Sequence, residues 1–188
     1  MTSNKRIKKM AGVAILTAVA VVLQLIANYI TIGTVSINLS LIPIAICAIV
    51  YGPISGTLIG AIVGAIIISA PSTGGFLSIN PIATVFLCLL KTGLAGTISG
   101  LLFKLIKKWN FNVAIIISSL IVPIINTSIF LLGSWIWFLP VFNNDGMVLV
   151  TSVLTINFLI EIIITSVLSP TLIYLIKILD KRHNLNLQ

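Results

Sequence analysis

Charge is scarce in this sequence. Of 188 residues, only 7% are Asp, Glu, Lys or Arg, and the acids number three: Asp145, Glu161 and Asp180. A soluble domain carries roughly a quarter charged residues, so there is too little polar surface to coat a water-exposed globule. Histidine occurs once, at His183 in the tail, and cysteine twice, at Cys47 and Cys88, each inside an apolar run. That excludes a disulfide framework and a clustered metal site, so no metal and no cofactor are expected. HExxH, GxSxG and Walker A patterns are absent, and no carboxylates pair at helical spacing. Enzyme chemistry therefore has no residues to stand on.

What is present is apolar. Hydrophobic residues make up 59% of the chain, and the mean hydropathy is +1.24. At roughly 20 residues per spanning helix, the length allows about five to seven membrane spans. The formal charge of +8 comes from clusters flanking apolar runs: Lys5, Arg6, Lys8 and Lys9; Lys104, Lys107 and Lys108; Lys177, Lys181 and Arg182. Such placement is a topology signal and a contact for anionic lipid in the bilayer, and no nucleic-acid partner is expected. The first apolar run, 10–30, is longer than a signal-peptide core and is followed by no small-x-small cleavage site, so it reads as a retained helix.

Turn formers divide the chain into one all-α integral membrane domain, with helices expected at about 8–30, 38–51, 54–70, 82–106, 111–138 and 149–178. Outer loops are expected at 31–36, 70–81 and 140–146. With the N-terminus in the cytoplasm, the inner regions and termini hold ten of the eleven Lys and Arg, and the outer loops hold none. Only an even number of spans keeps all three basic clusters on one side. Six transmembrane helices with cytoplasmic N and C termini result, in a multi-pass protein of the cell membrane.

Glycines recur every four residues at 52, 56, 60 and 64, and again at 96 and 100 with Gly93 nearby. That spacing lines one helical face, where another backbone can approach closely. Packing within the chain is the main expectation. Ala14-x-x-x-Ala18 sets a similar small-residue stripe on helix 1, at the edge of the chain, where a partner helix could meet it.

Lys91 and Glu161 lie at similar depth inside helices 4 and 6. A charge near the bilayer centre costs on the order of 3 kcal/mol, so each needs a partner. They either pair with each other or face a pocket in which Lys91 takes an anionic group. Asn38, Asn80, Asn126 and Asn157 fall in the outer halves of their helices and supply both donors and acceptors. Asn80, before Pro81, also fits a helix cap. Trp135 and Trp137 suit an interfacial belt, and Trp135 is additionally a candidate for stacking on a ligand.

Six helices in fewer than 200 residues, Ala14-x-x-x-Ala18, and the runs SINLSLIPIAICAIVYGPISGTLIGAIVGAIII (36–68) and FLSINPIATVFLCLLKTGLAGTISGLL (76–102) resemble a substrate-binding S component of an energy-coupling factor (ECF) transporter. The resemblance implies capture of a vitamin or metal ion from outside, here a small water-soluble vitamin or precursor because the usual metal ligands are missing. It also implies association with a transmembrane coupling protein and two cytoplasmic ATPases, and a docking role for Ala14 and Ala18. Lys91 suits a carboxylate and the asparagines suit hydroxyls or amides. Pantothenate meets both, ahead of riboflavin, biotin or a pyrimidine precursor. A stand-alone channel or secondary transporter, and a membrane assembly factor whose Lys91–Glu161 pair only locks the bundle, are the competing classes.

Overall fold

The computed structural model describes residues 2–29, 31–32, 35–36 and 38–183. Residues 33–34 of the expected first outer loop and the tail beyond His183 lie outside the described residues. The elements run α1 (Thr2–Ala27), β1 (Thr31–Ile32), β2 (Val35–Ser36), α2 (Leu41–Tyr51), α3 (Pro53–Ile68), a 3-10 turn (Pro71–Thr73), α4 (Gly74–Ile79), α5 (Pro81–Ile106), α6 (Phe111–Trp137) and α7 (Leu139–His183). The two short strands pair antiparallel, Thr31 opposite Ser36.

Four helices are long and apolar enough to cross a membrane alone: α1, α5, α6 and α7. A fifth candidate is the pair α3 and Pro71–Ile79, bent by 76°. With 11 residues, α2 extends only about 16 Å at 1.5 Å per residue, roughly half of a hydrocarbon core. It is tolerated because protein encloses it: every residue of α2 except Ile42 is buried.

Three boundaries differ from the expectations, each for a physical reason. Helix 2 was expected from about residue 38, with Pro43 in its interior; it starts at Leu41. Pro43 thus sits in the first turn, where its missing N–H has no partner to lose. Residues 70–81 are mostly helical rather than a loop. Phe76 of α4 packs edge-on to Phe130 at 5.3 Å and Phe138 at 5.2 Å, which draws the segment into the bundle. Residues 140–146, expected as a loop, continue as the first turns of α7. Phe138 and Met147, both fully buried, hold that stretch on either side, and tertiary packing overrides its low helix propensity.

The α3–α5 pair forms the spine. A Cβ on Gly56 would meet the Gly96 carbonyl at 2.7 Å, and one on Gly64 the Cys88 carbonyl at 2.5 Å, while Gly60 abuts the Thr92 carbonyl. Each four-residue step forward on α3 is a four-residue step back on α5, so the helices run antiparallel in backbone contact. Thr57 and Thr97 hydroxyls bond across the pair at 2.6 Å. Gly52 has a different role. At φ 95° with open space beside it, it makes the left-handed turn from α2 into α3.

On α1, Val13, Leu16, Ala20, Gln24 and Ala27 face inward, and Gly12 abuts the Tyr51 ring. Ile15, Val22 and Ile26 face outward. Ala11, Ala14 and Ala18 share that uncovered side. A buried hydrogen-bonded chain ties α1 inward: the Ser40 hydroxyl donates to Gln24 Oε1 at 2.6 Å, and Gln24 Nε2 donates to Asn28 Oδ1 at 2.9 Å.

Two apolar clusters fill the bundle. One, around Tyr51, Phe103, Ala114, Leu172 and Ile176, lies toward the end where α5 closes on Lys104 and Lys107. The other, around Phe76, Leu87, Phe130, Phe138 and Met147, lies toward the opposite end.

Candidate solute-binding site

Between these clusters is a polar cavity. Its lining includes Asn38, Lys91, Asn126, Thr127, Asn157 and Glu161, with Phe76, Phe130, Ile67 and Leu154 as apolar walls. The cavity volume is about 40 Å³. Sites for drug-sized ligands run from about 300 to 1,000 Å³, so a vitamin-sized solute needs these walls to part. Ser72, Thr73 and Phe76, on the bent segment after α3, form one of the walls.

Helical periodicity places the residues. Leu154, Asn157 and Glu161 fall at i, i+3 and i+7 on one face of α7, Asn126 and Phe130 at i and i+4 on α6, and Cys88 and Lys91 at i and i+3 on α5. Asn38 comes from the segment before α2 rather than from the helix itself. Its backbone N–H and its Nδ2 both donate to Glu161 Oε1, each at 3.1 Å.

Lys91 and Glu161 are 7% and 5% exposed, yet they do not close an ion pair. The Lys91 ammonium lies over the Phe130 ring, 4.4 Å from its centroid, a cation–π contact that offsets part of its desolvation. Glu161 Oε2 is buried without a hydrogen-bond partner, as are Asn126 Oδ1 and both Oδ1 and Nδ2 of Asn157. Leaving such a group unpaired costs about 1–3 kcal/mol each. Four in one cavity, beside a lysine on an aromatic ring, mark groups prepared for something other than their neighbours.

Five of the expected site residues converge here: Lys91, Glu161, Asn38, Asn126 and Asn157. Two do not line the cavity. Asn80 caps α5, its Oδ1 accepting from the Ala83 N–H at 3.1 Å. Trp135 is 43% exposed on the outer surface of α6, and Trp137 packs edge-on to Phe86 at 6.1 Å. Phe76, Phe130 and Thr127 were missed in the sequence. An aromatic at helical spacing from Asn126 was the available signal for Phe130. Phe76 gave none, because its segment reads as a loop.

Among the described residues, no group of three or more His, Cys, Asp or Glu gathers to hold a metal. The arrangement suits reversible capture of an organic solute through charge and hydrogen bonds.

A comparison with known families identifies the chain's kind. The family described as ECF transporter, substrate-specific component, matches residues 8–173. A comparison with curated proteins and one with solved structures gave no match. The chain belongs to the family of ECF transporter substrate-specific components. It is thus a multi-pass membrane protein and a substrate-specific uptake subunit, not an enzyme.

Proposed function

We propose that this chain is the high-affinity binding subunit of an ECF-type uptake transporter for a small water-soluble vitamin or precursor, holding its solute in the Lys91–Glu161 cavity. In this reading the protein sits in the cell membrane with six crossings and both termini in the cytoplasm. The solute enters from outside as the wall carrying Ser72, Thr73 and Phe76 moves aside. The carrying observation is the cavity itself: a buried lysine on an aromatic ring, with four unpartnered buried polar atoms around it. A carboxylate on Lys91 forms a charge-assisted contact, and the asparagines take hydroxyl or amide groups. Among vitamins, pantothenate offers this combination and is the first compound to test.

Ala14 and Ala18, on the outward face of α1, present a small-residue surface for a transmembrane coupling protein, which two cytoplasmic ATPases would drive. Replacing both alanines with leucine removes the close approach. Such a variant is expected to bind solute at wild-type affinity but to lose ATP-dependent uptake in vesicles containing the coupling module. Uptake by vesicles holding this chain alone would instead favour a self-contained carrier. Mass spectrometry of small molecules released from the purified protein names the solute directly.

A further inference from the structure

The proposed function assigns one pole of the cavity, Lys91; Glu161 is the other. A role for this second pole rests on the reading that the cavity is the solute site. Lys91 and Glu161 are the only acidic or basic side chains lining it among the described residues, and they do not neutralise each other directly. Glu161 Oε1 is occupied by the two Asn38 donors, and its Oε2 faces no donor.

Two features define the complementary ligand. The first is charge balance. In a low-dielectric site an uncompensated buried charge is strongly unfavourable. A monoanion docked on Lys91 leaves the carboxylate of Glu161 without a counter-ion, and a monocation on Glu161 leaves Lys91 without one. A solute bearing both charges leaves neither. The second is the inventory of unmet atoms. Three are acceptors: Glu161 Oε2, Asn126 Oδ1 and Asn157 Oδ1. One is a donor, Asn157 Nδ2. A primary ammonium carries three N–H donors and no acceptor, matching the three acceptors in number. A carboxylate takes the remaining amide donor together with the Lys91 ammonium.

We propose that the solute is a zwitterion, a primary amine and a carboxylate on one small molecule, with the carboxylate held by Lys91 and the ammonium by Glu161. Asn126 and Asn157 complete the ammonium's bonds, and Phe76, Ile67 and Leu154 cover an apolar remainder. Amino acids and β-alanine-like molecules belong to this class, whereas pantothenate has the carboxylate without the amine.

The test begins with solute released from the protein purified in detergent out of its own cells. Half is treated with an amine-reactive label and half with a carboxyl-esterifying reagent before mass spectrometry. A mass gain in both halves is expected. In parallel, thermal unfolding is followed with the twenty amino acids and β-alanine, each beside its amine-free and carboxylate-free analogue. At least one zwitterion is expected to bind tenfold or more tightly than both of its analogues. Glu161→Gln should weaken that zwitterion at least tenfold and its amine-free analogue less than about threefold. The labelling needs no variant, so it decides even where Glu161→Gln does not fold. A released carboxylate lacking an amine, or binding of pantothenate with none from the amino acids, overturns the zwitterion and leaves solute capture standing. No released solute, and no shift with pantothenate or any panel member, overturns both.

Discussion

Replacing Lys91 with glutamine separates binding from folding, because the two readings of this residue predict effects of different size on the empty protein. Burying a lysine inside a membrane-spanning helix costs up to about 3 kcal/mol by insertion scales. The Phe130 ring, 4.4 Å from the ammonium, returns up to about 2 kcal/mol when desolvated. Glu161 keeps both Asn38 donors in the variant. Against this relief stands the loss of the more distant Lys91 charge at Glu161, so the empty Lys91→Gln protein is expected to lie within about 1 kcal/mol of wild type, or roughly 2–4 °C in Tm for a chain of this size. Solute affinity changes far more. Loss of a charge-assisted bond worth about 1.5–3 kcal/mol weakens binding by about 10- to 150-fold. Thermal unfolding in detergent and equilibrium binding of the released solute measure the two quantities on one preparation. A structural ion pair would give a drop of about 3–5 kcal/mol in the empty protein, from the charge left behind. Such a drop, with affinity unchanged, would refute the assignment of Lys91 to the site.

The remaining predictions concern the spine and an amide. Gly96→Val places branched carbon against the Gly56 backbone, whose Cα lies 3.1 Å from a Cβ at Gly96. Because both sides are backbone, α3 and α5 must separate, and a loss of about 1–3 kcal/mol or more in detergent unfolding is expected; wild-type stability would refute the close approach. Asn157→Leu removes a donor and an acceptor that have no partners in the empty protein. Its stability should hold or rise while solute affinity falls at least about tenfold, and unchanged affinity would place Asn157 outside the contact set.

Much of this protein is legible in one dimension because membrane insertion is itself a reading of one-dimensional hydropathy. The apolar runs and the four-residue glycine spacing identify helices and the helical faces that meet. The carbonyl contacts of Gly56, Gly60 and Gly64 are what that spacing requires. Lys91 and Glu161 stand out by the same logic, since two buried charges in an apolar chain are conspicuous without any structure. Where the pattern misled, packing had outweighed propensity. Residues 140–146 carry loop-forming composition but lie between the buried Phe138 and Met147, and the segment containing Phe76 turns inward onto Phe130 and Phe138.

Only the tertiary structure decided which polar residues share a space. Asn80 and Asn157 look alike in the sequence, each an amide near a helix's outer half. One caps its own helix; the other is buried with no partner. The same holds for the two charges. Spacing allowed Lys91 and Glu161 either to pair or to face a ligand, because depth along a helix is periodic and local. Rotation between helices depends on how every intervening side chain packs. In the folded chain Phe130 takes the lysine and Asn38 takes one oxygen of the glutamate, leaving both charges in the cavity wall with capacity for a further partner.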